Sequence, residues 1–242
     1  FYHRHHVPVA FVGHPLADEL PLENDREAAR RTLGLNADAP VLALLPGSRR
    51  NEVRFMGATF LEAVTLLCQR HTGLQVVIPA ATAQRYTELG ELLAGYPTLA
   101  QRVTLLEGQA REAMVASDAV LLTSGSAALE AMLCHRAMLV AYKMAPATHW
   151  LAKRLVKTQW ISLPNLIAQE SVVPELIQHA ATPEAIAEQL DQRLSDAETR
   201  HALEARFASM HATLQRTASE RAAQAITALV AGEPLEAKPD AD

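Results

Sequence analysis

Residues 41–53 read VLALLPGSRRNEV, an apolar run that breaks into a turn and then into two arginines. The run VLALL has no polar position, which is typical of a parallel strand that is buried on both faces. Pro46 and Gly47 end the run with a tight turn. The stretch therefore predicts a buried strand whose carboxyl end carries Arg49 and Arg50.

Further short apolar runs follow this strand and alternate with amphipathic helical patterns. Strand–helix–strand units of this spacing form right-handed crossovers and build a parallel sheet with helices on both faces. We therefore predict an α/β, Rossmann-like fold. The predicted strands are 41–48, 74–80, 102–108, 119–125 and 137–142, and the predicted helices are about 58–72, 82–94, 110–117 and 126–135.

The pattern becomes helical after residue 183, with Pro174 or Pro183 near helix starts and Gly232 closing the last helix. We expect residues 1–20 to be the end of a preceding domain and a connection, and residues 21–182 to be the Rossmann-like domain. Residues 183–232 are then C-terminal helices, and residues 233–242 are a polar tail. The apolar faces of the late helices are expected to be partly uncovered, which would allow the chain to form homo-oligomers.

Composition excludes several classes of function. The 22 basic and 27 acidic residues give a net charge of −5, which does not favour nucleic acid as a partner. Cys68 and Cys134 lack the spacing of metal ligands and fit a reducing compartment, so we expect a cytoplasmic protein. No run reaches the roughly 18 apolar residues of a membrane span, so any membrane contact is expected to be peripheral.

No metal site is expected. The histidines His3, His5 and His6 come without a second ligand group, and the Asp-x-Asp string at 240–242 lies in the terminal tail, where nothing would position it.

Arg49 and Arg50 are the first candidate for chemistry. Ligands of open parallel sheets bind beyond the carboxyl ends of the strands. An arginine there offers a planar fork of donors that suits phosphate oxygens. Two adjacent arginines in isolation are more often a solvated surface pair, so a second site is needed to decide.

The second candidate is TSGSAALEAML, residues 123–133, again a strand end that runs into a helix. Ser124, Gly125 and Ser126 occupy the turn and the helix cap, where hydroxyls, backbone N–H groups and the helix dipole favour a diphosphate. Glu130 follows about one turn later, and its oxygens could accept hydrogen bonds from the two hydroxyls of a ribose. An ordinary serine cap with an acidic residue nearby would look the same.

Two further polar residues stand at probable turns. Asn165 in SLPNL (162–166) could hold a ligand or could satisfy the backbone of its own turn, which is the commoner case. His14 in GHPLAD (13–18) could orient a substrate or could cap the element that follows it.

The segment THWLAKRLVK, residues 148–157, places basic residues and a tryptophan on one face of a helix. Lys153, Arg154 and Lys157 share that face with Trp150, and the leucines lie opposite. A surface helix with its apolar side on the core explains part of the pattern. The cationic face also predicts attraction to an anionic lipid surface.

Four strings together resemble the lipid-A-disaccharide synthases, a family of family-B glycosyltransferases with two facing Rossmann-like domains. The strings are VGHPLAD (12–18), LALLPGSRRNEV (42–53), REAMVASDAVLLTSGSAALEAML (111–133) and AKRLVKTQWISLPNLIA (152–168), and the likeness runs in order from about residue 1 to 225. It implies the C-terminal, UDP-sugar-binding half of such an enzyme.

The resemblance implies transfer of 2,3-diacylglucosamine from its UDP donor to 2,3-diacylglucosamine 1-phosphate at the inner face of the cytoplasmic membrane. It implies that Arg49 meets the diphosphate and stabilises the leaving group, with Arg50 the weaker candidate. It also implies inverting transfer without a metal or other cofactor. The general base is expected outside this chain, which alone should bind nucleotide but not turn over. The alternatives are a peptidoglycan glucosaminyltransferase, a UDP-sugar epimerase, or a non-catalytic nucleotide-binding domain.

Overall fold

A six-stranded parallel sheet organises the chain in the computed structural model, which describes residues 2–5, 7–145, 148, 154 and 158–232. The predicted α/β, Rossmann-like class is confirmed. The sixth strand was not predicted, because it is only three residues long and contains the charged Glu175. The strands are β1 Val41–Leu45, β2 Gln75–Ala80, β3 Val103–Glu107, β4 Ala119–Leu122, β5 Ala137–Tyr142 and β6 Glu175–Ile177.

Helices connect the strands and continue after the last of them. The α-helices are α1 Pro15–Glu19, α2 Arg26–Thr32, α3 Arg50–Arg70, α4 Ala83–Leu93, α5 Pro97–Ala100, α6 Ala110–Ala116, α7 Ser126–Leu133, α8 Leu163–Ala168, α9 Pro183–Ser195, α10 Ala197–Leu214 and α11 Ala218–Val230. Short 3₁₀ helices lie at Tyr2–His5 and Gln178–Ala180. Pro183 starts α9 as predicted, whereas Pro174 precedes β6 rather than a helix.

Helix α3 begins about eight residues before the predicted start at 58, and the reason is local. Arg49 is the N-cap, and Glu52 at the third helical position accepts a hydrogen bond from the Arg49 backbone N–H at 3.1 Å. This carboxylate satisfies donors that the first turn of a helix leaves unpaired, so the helix can start directly after the turn.

The strand order is β3-β2-β1-β4-β5-β6, and every neighbouring pair is parallel. The chain moves outward from β1 to β2 and β3, and then returns to place β4 on the other side of β1. The order of connection therefore reverses between β1 and β4. In a doubly wound sheet this reversal opens a crevice at the carboxyl ends of those two strands.

Both faces of the sheet are covered, as the apolar runs predicted. All five residues of β1 and all four of β4 are buried. Leu42 and Leu44 pack with Phe60 of α3 and Ile186 of α9 in one continuous cluster of buried residues. Because side chains alternate along a strand, Val41, Ala43 and Leu45 face the opposite layer, which contains α6 and α7.

A cluster of charges fixes the amino ends of the two central strands. Asp118, just before β4, accepts a hydrogen bond from the Val41 backbone N–H at 2.8 Å and pairs with Arg30 at 2.8 Å and Arg26 at 3.0 Å. The buried Arg30 also donates to the Ala116 carbonyl at 2.9 Å. The carboxylate thereby ties β1, β4 and α2 together at the end of the sheet away from the crevice.

The chain divides into two compact units, residues 23–207 and residues 1–22 with 208–242. In the second of these, Asp18 of α1 caps α11 by accepting hydrogen bonds from the backbone N–H groups of Arg216, Thr217 and Ala218, at 2.8, 2.9 and 2.5 Å. These bonds, that of Ala218 foremost, hold the pKa of Asp18 below its ordinary value. The boundaries drawn from the sequence at residues 20 and 182 stay a prediction.

One side of α11 carries large apolar side chains in contact with solvent. Ile226, Leu229 and Val230 are 63%, 62% and 83% exposed, and positions 226, 229 and 230 lie on one helix face. The late helices thus have an uncovered apolar surface, as expected from the sequence. Self-association through it stays a prediction.

Candidate functional site

The loops that leave β1 and β4 flank the crevice at the reversal point. Residues 46–49 follow β1, and residues 123–125 follow β4. The Thr123 backbone N–H donates to the Leu45 carbonyl at 3.2 Å, so the two loops start side by side. The loop that carries Arg49 and the Ser124–Ser126 turn therefore leave neighbouring strands at one edge of the sheet, although at least 75 residues separate them in the sequence.

The loop after β1 is built around a carboxylate that sequence reasoning missed. Glu52 is 7% exposed, and its Oε2 accepts from the backbone N–H groups of Ser48 at 3.0 Å and Arg49 at 3.1 Å. Gly47 has φ +120°, and a Cβ there would lie 2.3 Å from the Glu52 Cβ. Only glycine therefore allows the loop to close over Glu52, which fills the N-terminus of α3.

Arg49 stands at the rim of the crevice with most of its side chain in solvent. Its Nη1 pairs with Glu52 Oε1 at 2.8 Å, while the side chain is 80% exposed. One edge of the guanidinium is thus fixed by Glu52. The other donors of the fork can reach a ligand anion. Arg50, the first residue of α3, is also exposed.

The N-terminus of α7 is open to an anion. Its N-cap is Gly125 rather than a serine, no side chain in the described part of the chain caps it, and its first turn has no acidic residue. Ser126 is the first helical residue and is exposed. By contrast, Glu52 fills the start of α3 and Thr82 caps α4 at 3.2 Å. Backbone N–H groups that have no acceptor among the described residues, and the positive end of the helix dipole, thus lie at the crevice at α7.

The side chain of Ser124 bonds within the chain, and its predicted contact with the diphosphate stays a prediction. Its hydroxyl donates a hydrogen bond to the Ile161 carbonyl at 3.0 Å. Because a serine has one hydroxyl hydrogen, Ser124 in this arrangement cannot also donate to a phosphate oxygen. The side chain instead ties the loop before α7 to the segment before α8.

Glu130 lies one turn into α7, at the position predicted for a ribose contact. The side chain is half-buried, and burial raises the pKa of its carboxyl, an effect that the nearby Arg111 opposes. Glu130 lies four residues after Ser126, so the two side chains are on the same face of the helix.

Asn165 bonds to neighbouring backbone and to Glu175, and its predicted contact with a ligand stays a prediction. Asn165 is fully buried in the first turn of α8, which replaces the predicted turn. Its Nδ2 donates to the Val173 carbonyl and to Glu175, each at 2.8 Å, and its Oδ1 accepts from the N–H groups of Val172 and Val173. The side chain satisfies nearby backbone, the alternative that the sequence left open.

The partner of Asn165 on β6 is a second residue that sequence reasoning missed. Glu175 gathers hydrogen bonds from Ile161, Ser162 and Asn165, which lie 10 to 14 residues earlier in the chain. The one signal in the sequence is a lone carboxylate beside apolar residues in VPELI (173–177). Such a residue commonly serves as a buried acceptor.

His14 caps α1, which was the second of its two predicted roles. The Leu16 backbone N–H donates to His14 Nδ1 at 3.2 Å, and the His14 N–H donates to the Leu214 carbonyl at 2.9 Å. All three residues belong to the unit formed by residues 1–22 and 208–242.

The cationic helix predicted at 148–157 lies largely outside the described residues. The residues outside the described ranges include Trp150, Lys153 and Lys157. Arg154 is described, and it is helical and exposed. Within the described ranges, no helix is long and apolar enough to cross a membrane. The same ranges contain no group of three or more His, Cys, Asp or Glu side chains that could hold a metal ion.

The fold and the crevice define a class of protein by architecture, one Rossmann-like half of the GT-B fold. A glycosyltransferase involved in lipopolysaccharide biosynthesis, WaaG, matches with a TM-score of 0.55 at 18% identity over 91% of this chain and 55% of that one. The putative UDP-N-acetylglucosamine 2-epimerase from Listeria monocytogenes matches with a TM-score of 0.59 at 16% identity over 91% of this chain and 52% of that one. At these identities the likeness concerns the fold alone.

Sequence comparison gives the family. The model of the family described as lipid-A-disaccharide synthetase matches residues 1–228. A relative in Chromohalobacter salexigens, named lipid-A-disaccharide synthase, is 64% identical over all of this chain, which spans 62% of that relative's length. The chain belongs to the lipid-A-disaccharide synthetase family, as the four sequence strings indicated.

Proposed function

We propose that this chain supplies the UDP-sugar-binding half of an inverting glycosyltransferase. The enzyme would transfer 2,3-diacylglucosamine from its UDP donor to 2,3-diacylglucosamine 1-phosphate, forming lipid A disaccharide 1-phosphate and UDP. The observation that carries the proposal is the open N-terminus of α7, which lies at the reversal point beside Arg49. Family membership supports this choice of substrates.

The charges of the crevice suit the departure of UDP. In the proposed reaction the 6-hydroxyl of the acceptor attacks the anomeric carbon, and the bond to the diphosphate breaks on the opposite face of the sugar. Negative charge then grows on the diphosphate, where Arg49 and the N–H groups of α7 would stabilise it. A general base outside this chain would take the hydroxyl proton.

Arg49 and the α7 N-terminus would supply the positive charge that a divalent cation supplies in other transferases. We therefore propose that nucleotide binding is independent of metal. Saturable binding of UDP in excess EDTA is the expected result, whereas binding that requires added Mg²⁺ or Mn²⁺ would contradict it.

Glu130 tests the proposed orientation of the nucleotide. The wild-type chain should prefer UDP over 2′-deoxy-UDP by about tenfold, because a carboxylate that accepts from a ribose hydroxyl loses that bond in the deoxy ligand. Glu130→Ala should bind the two ligands equally. Because burial raises the pKa of Glu130, the wild-type preference should fade on acidification at a higher pH than an ordinary carboxyl would give. Calorimetric titration of both ligands measures the preference.

Glu112→Ala is the matched control, since Glu112 is an exposed acidic residue in the first turn of α6. It should keep the preference for UDP. A preference that survives in Glu130→Ala would contradict the ribose contact.

We also propose that the enzyme works as a peripheral protein at the inner face of the cytoplasmic membrane. The support is the cationic face that the sequence predicts for residues 148–157, together with the anionic lipid substrates of the proposed reaction. A variant with alanine at Lys153, Arg154 and Lys157 should bind anionic phosphatidylglycerol vesicles at least about tenfold more weakly, since each basic residue near such a surface contributes about 1 kcal/mol. Vesicle sedimentation measures this affinity.

The control removes the same number of charges elsewhere. Alanine at the exposed Arg31, Arg50 and Arg54 changes net charge equally and should reduce vesicle binding much less. Equal losses in the two triple variants would indicate a general charge effect, and unchanged binding of the first variant would contradict the proposal.

A further inference from the structure

The carboxylate of Glu175 organises the segment that leads into α8. Its Oε1 accepts from the Ser162 backbone N–H at 2.9 Å, the Ser162 hydroxyl at 2.6 Å and Asn165 Nδ2 at 2.8 Å. Its Oε2 accepts from the Ile161 backbone N–H at 2.9 Å. Four donors thus converge on one acidic side chain at the edge of the sheet.

Asn165 closes this cluster from the other side. The fully buried side chain bonds the backbone of Val172 and Val173, directly before β6, and also bonds Glu175. Together, Glu175 and Asn165 fasten residues 161–165 to the strand. Because a carboxylate only accepts hydrogen bonds, it matches this set of donors in a way that an amide cannot.

Ile161 connects this cluster to the loop before α7, which belongs to the candidate site. Ile161 donates its N–H to Glu175 and accepts at its carbonyl from the Ser124 hydroxyl at 3.0 Å. Ser124 directly precedes Gly125, the N-cap of α7. Helices α7 and α8 also pack against each other. A continuous set of hydrogen bonds therefore runs from Glu175 through Ile161 to the start of α7.

We propose that Glu175 is a positioning residue for the diphosphate site, acting through Ile161 and Ser124 to hold the N-terminus of α7 in its ligand-binding arrangement. The inference rests on the proposed function. Groups that support a binding shell commonly change affinity when they are removed, although they do not touch the ligand. Glu175 has this relation to the N–H groups of α7.

A purely electrostatic role and a positioning role of Glu175 predict opposite changes in UDP affinity for Glu175→Gln. The substitution therefore distinguishes them. Removing a negative charge near an anion site should strengthen the binding of UDP if only the electrostatic field matters. The amide of glutamine instead turns a donor toward the donors of Ile161, Ser162 or Asn165. The loop before α7 then loses its fixed position, and binding should weaken.

The expected result is a dissociation constant for UDP about tenfold higher in Glu175→Gln, with uridine bound as in the wild-type chain. Uridine lacks the diphosphate, so a general loss of structure would weaken both ligands. Glu170→Gln is the matched control, because Glu170 pairs with Arg206 on the surface and both side chains are more than half exposed. That control should leave both affinities unchanged.

A double-mutant cycle tests the route, and Ser124→Ala alone keeps the inference testable if Glu175→Gln fails to fold. Ser124→Ala should weaken UDP binding and spare uridine. Adding Glu175→Gln to it should have less than about a twofold further effect, because both changes break the same connection. Additive losses, tighter UDP binding in Glu175→Gln, or an equal loss of uridine binding would overturn the inference. Failure of the wild-type chain to bind UDP would instead overturn the proposed function.

Discussion

Replacing Arg49 with alanine should weaken the binding of UDP to this chain by about ten- to a hundredfold. Hydrogen bonds to charged groups contribute roughly 1.5–3 kcal/mol each. Glu52 holds the Arg49 guanidinium by Nη1, so its other N–H groups can donate to the ligand. Calorimetric titration of UDP measures the change. The loss should be smaller for UMP than for UDP, because UMP carries less phosphate charge to neutralise.

Arg50→Ala provides the control for Arg49→Ala. The two arginines are adjacent and both exposed, but Arg49 is the N-cap of α3 and is fixed by Glu52, whereas Arg50 starts the helix. Arg50→Ala should change the affinity by less than about threefold. Equal effects of the two substitutions would mean that the pair acts as a diffuse basic patch, and Arg49 would lose its proposed role.

The largest effect on stability is expected for Asp118→Ala. The carboxylate neutralises Arg30, whose side chain is 7% exposed, and accepts from the backbone of Val41. Its removal leaves a buried guanidinium without its charge partner, which typically costs about 3–5 kcal/mol. The neighbouring Arg136 is also buried, and burial lowers the pKa of its guanidinium to about 10. Urea denaturation measures the free energy of unfolding.

Glu27→Ala is the control for Asp118→Ala. Glu27 pairs with Arg31 at 3.7 Å on the surface of α2, and both side chains are more than two-thirds exposed. Its removal should change the free energy of unfolding by less than about 0.5 kcal/mol. If Asp118→Ala is as mild as this, the buried charges do not anchor the ends of β1 and β4.

The sequence was sufficient to predict five of the six strands, because those five lie in continuous apolar runs. Strands β1 and β4 are fully buried between two helical layers, so nothing competes with the apolar pattern. The sequence also placed Arg49 and the start of α7 at strand ends, and a parallel sheet necessarily brings such ends to one edge. The short β6 had no such pattern, because one of its three residues is the charged Glu175.

Side-chain hydrogen bonds were not predictable in the same way. Asn165 and Ser124 stand in turns, where both ligand contact and backbone contact fit the spacing. Their partners, Glu175 and Ile161, lie 10 and 37 residues away and meet them only after the sheet has formed. Glu52 was missed for another reason: with the helix expected to start at 58, a carboxylate at position 52 had no helix end to cap.

The central claim is that the open N-terminus of α7 holds the diphosphate. The most direct test is a titration of UDP, in EDTA, into the wild-type chain and into Ser126→Asp, which puts a carboxylate in the first turn of α7. Ala83→Asp makes the same change at the first position of α4, also exposed and at the same edge of the sheet. We predict saturable wild-type binding, at least about tenfold weaker binding in Ser126→Asp, and no change in Ala83→Asp. A folded Ser126→Asp chain that binds UDP as the wild-type chain does would contradict the claim.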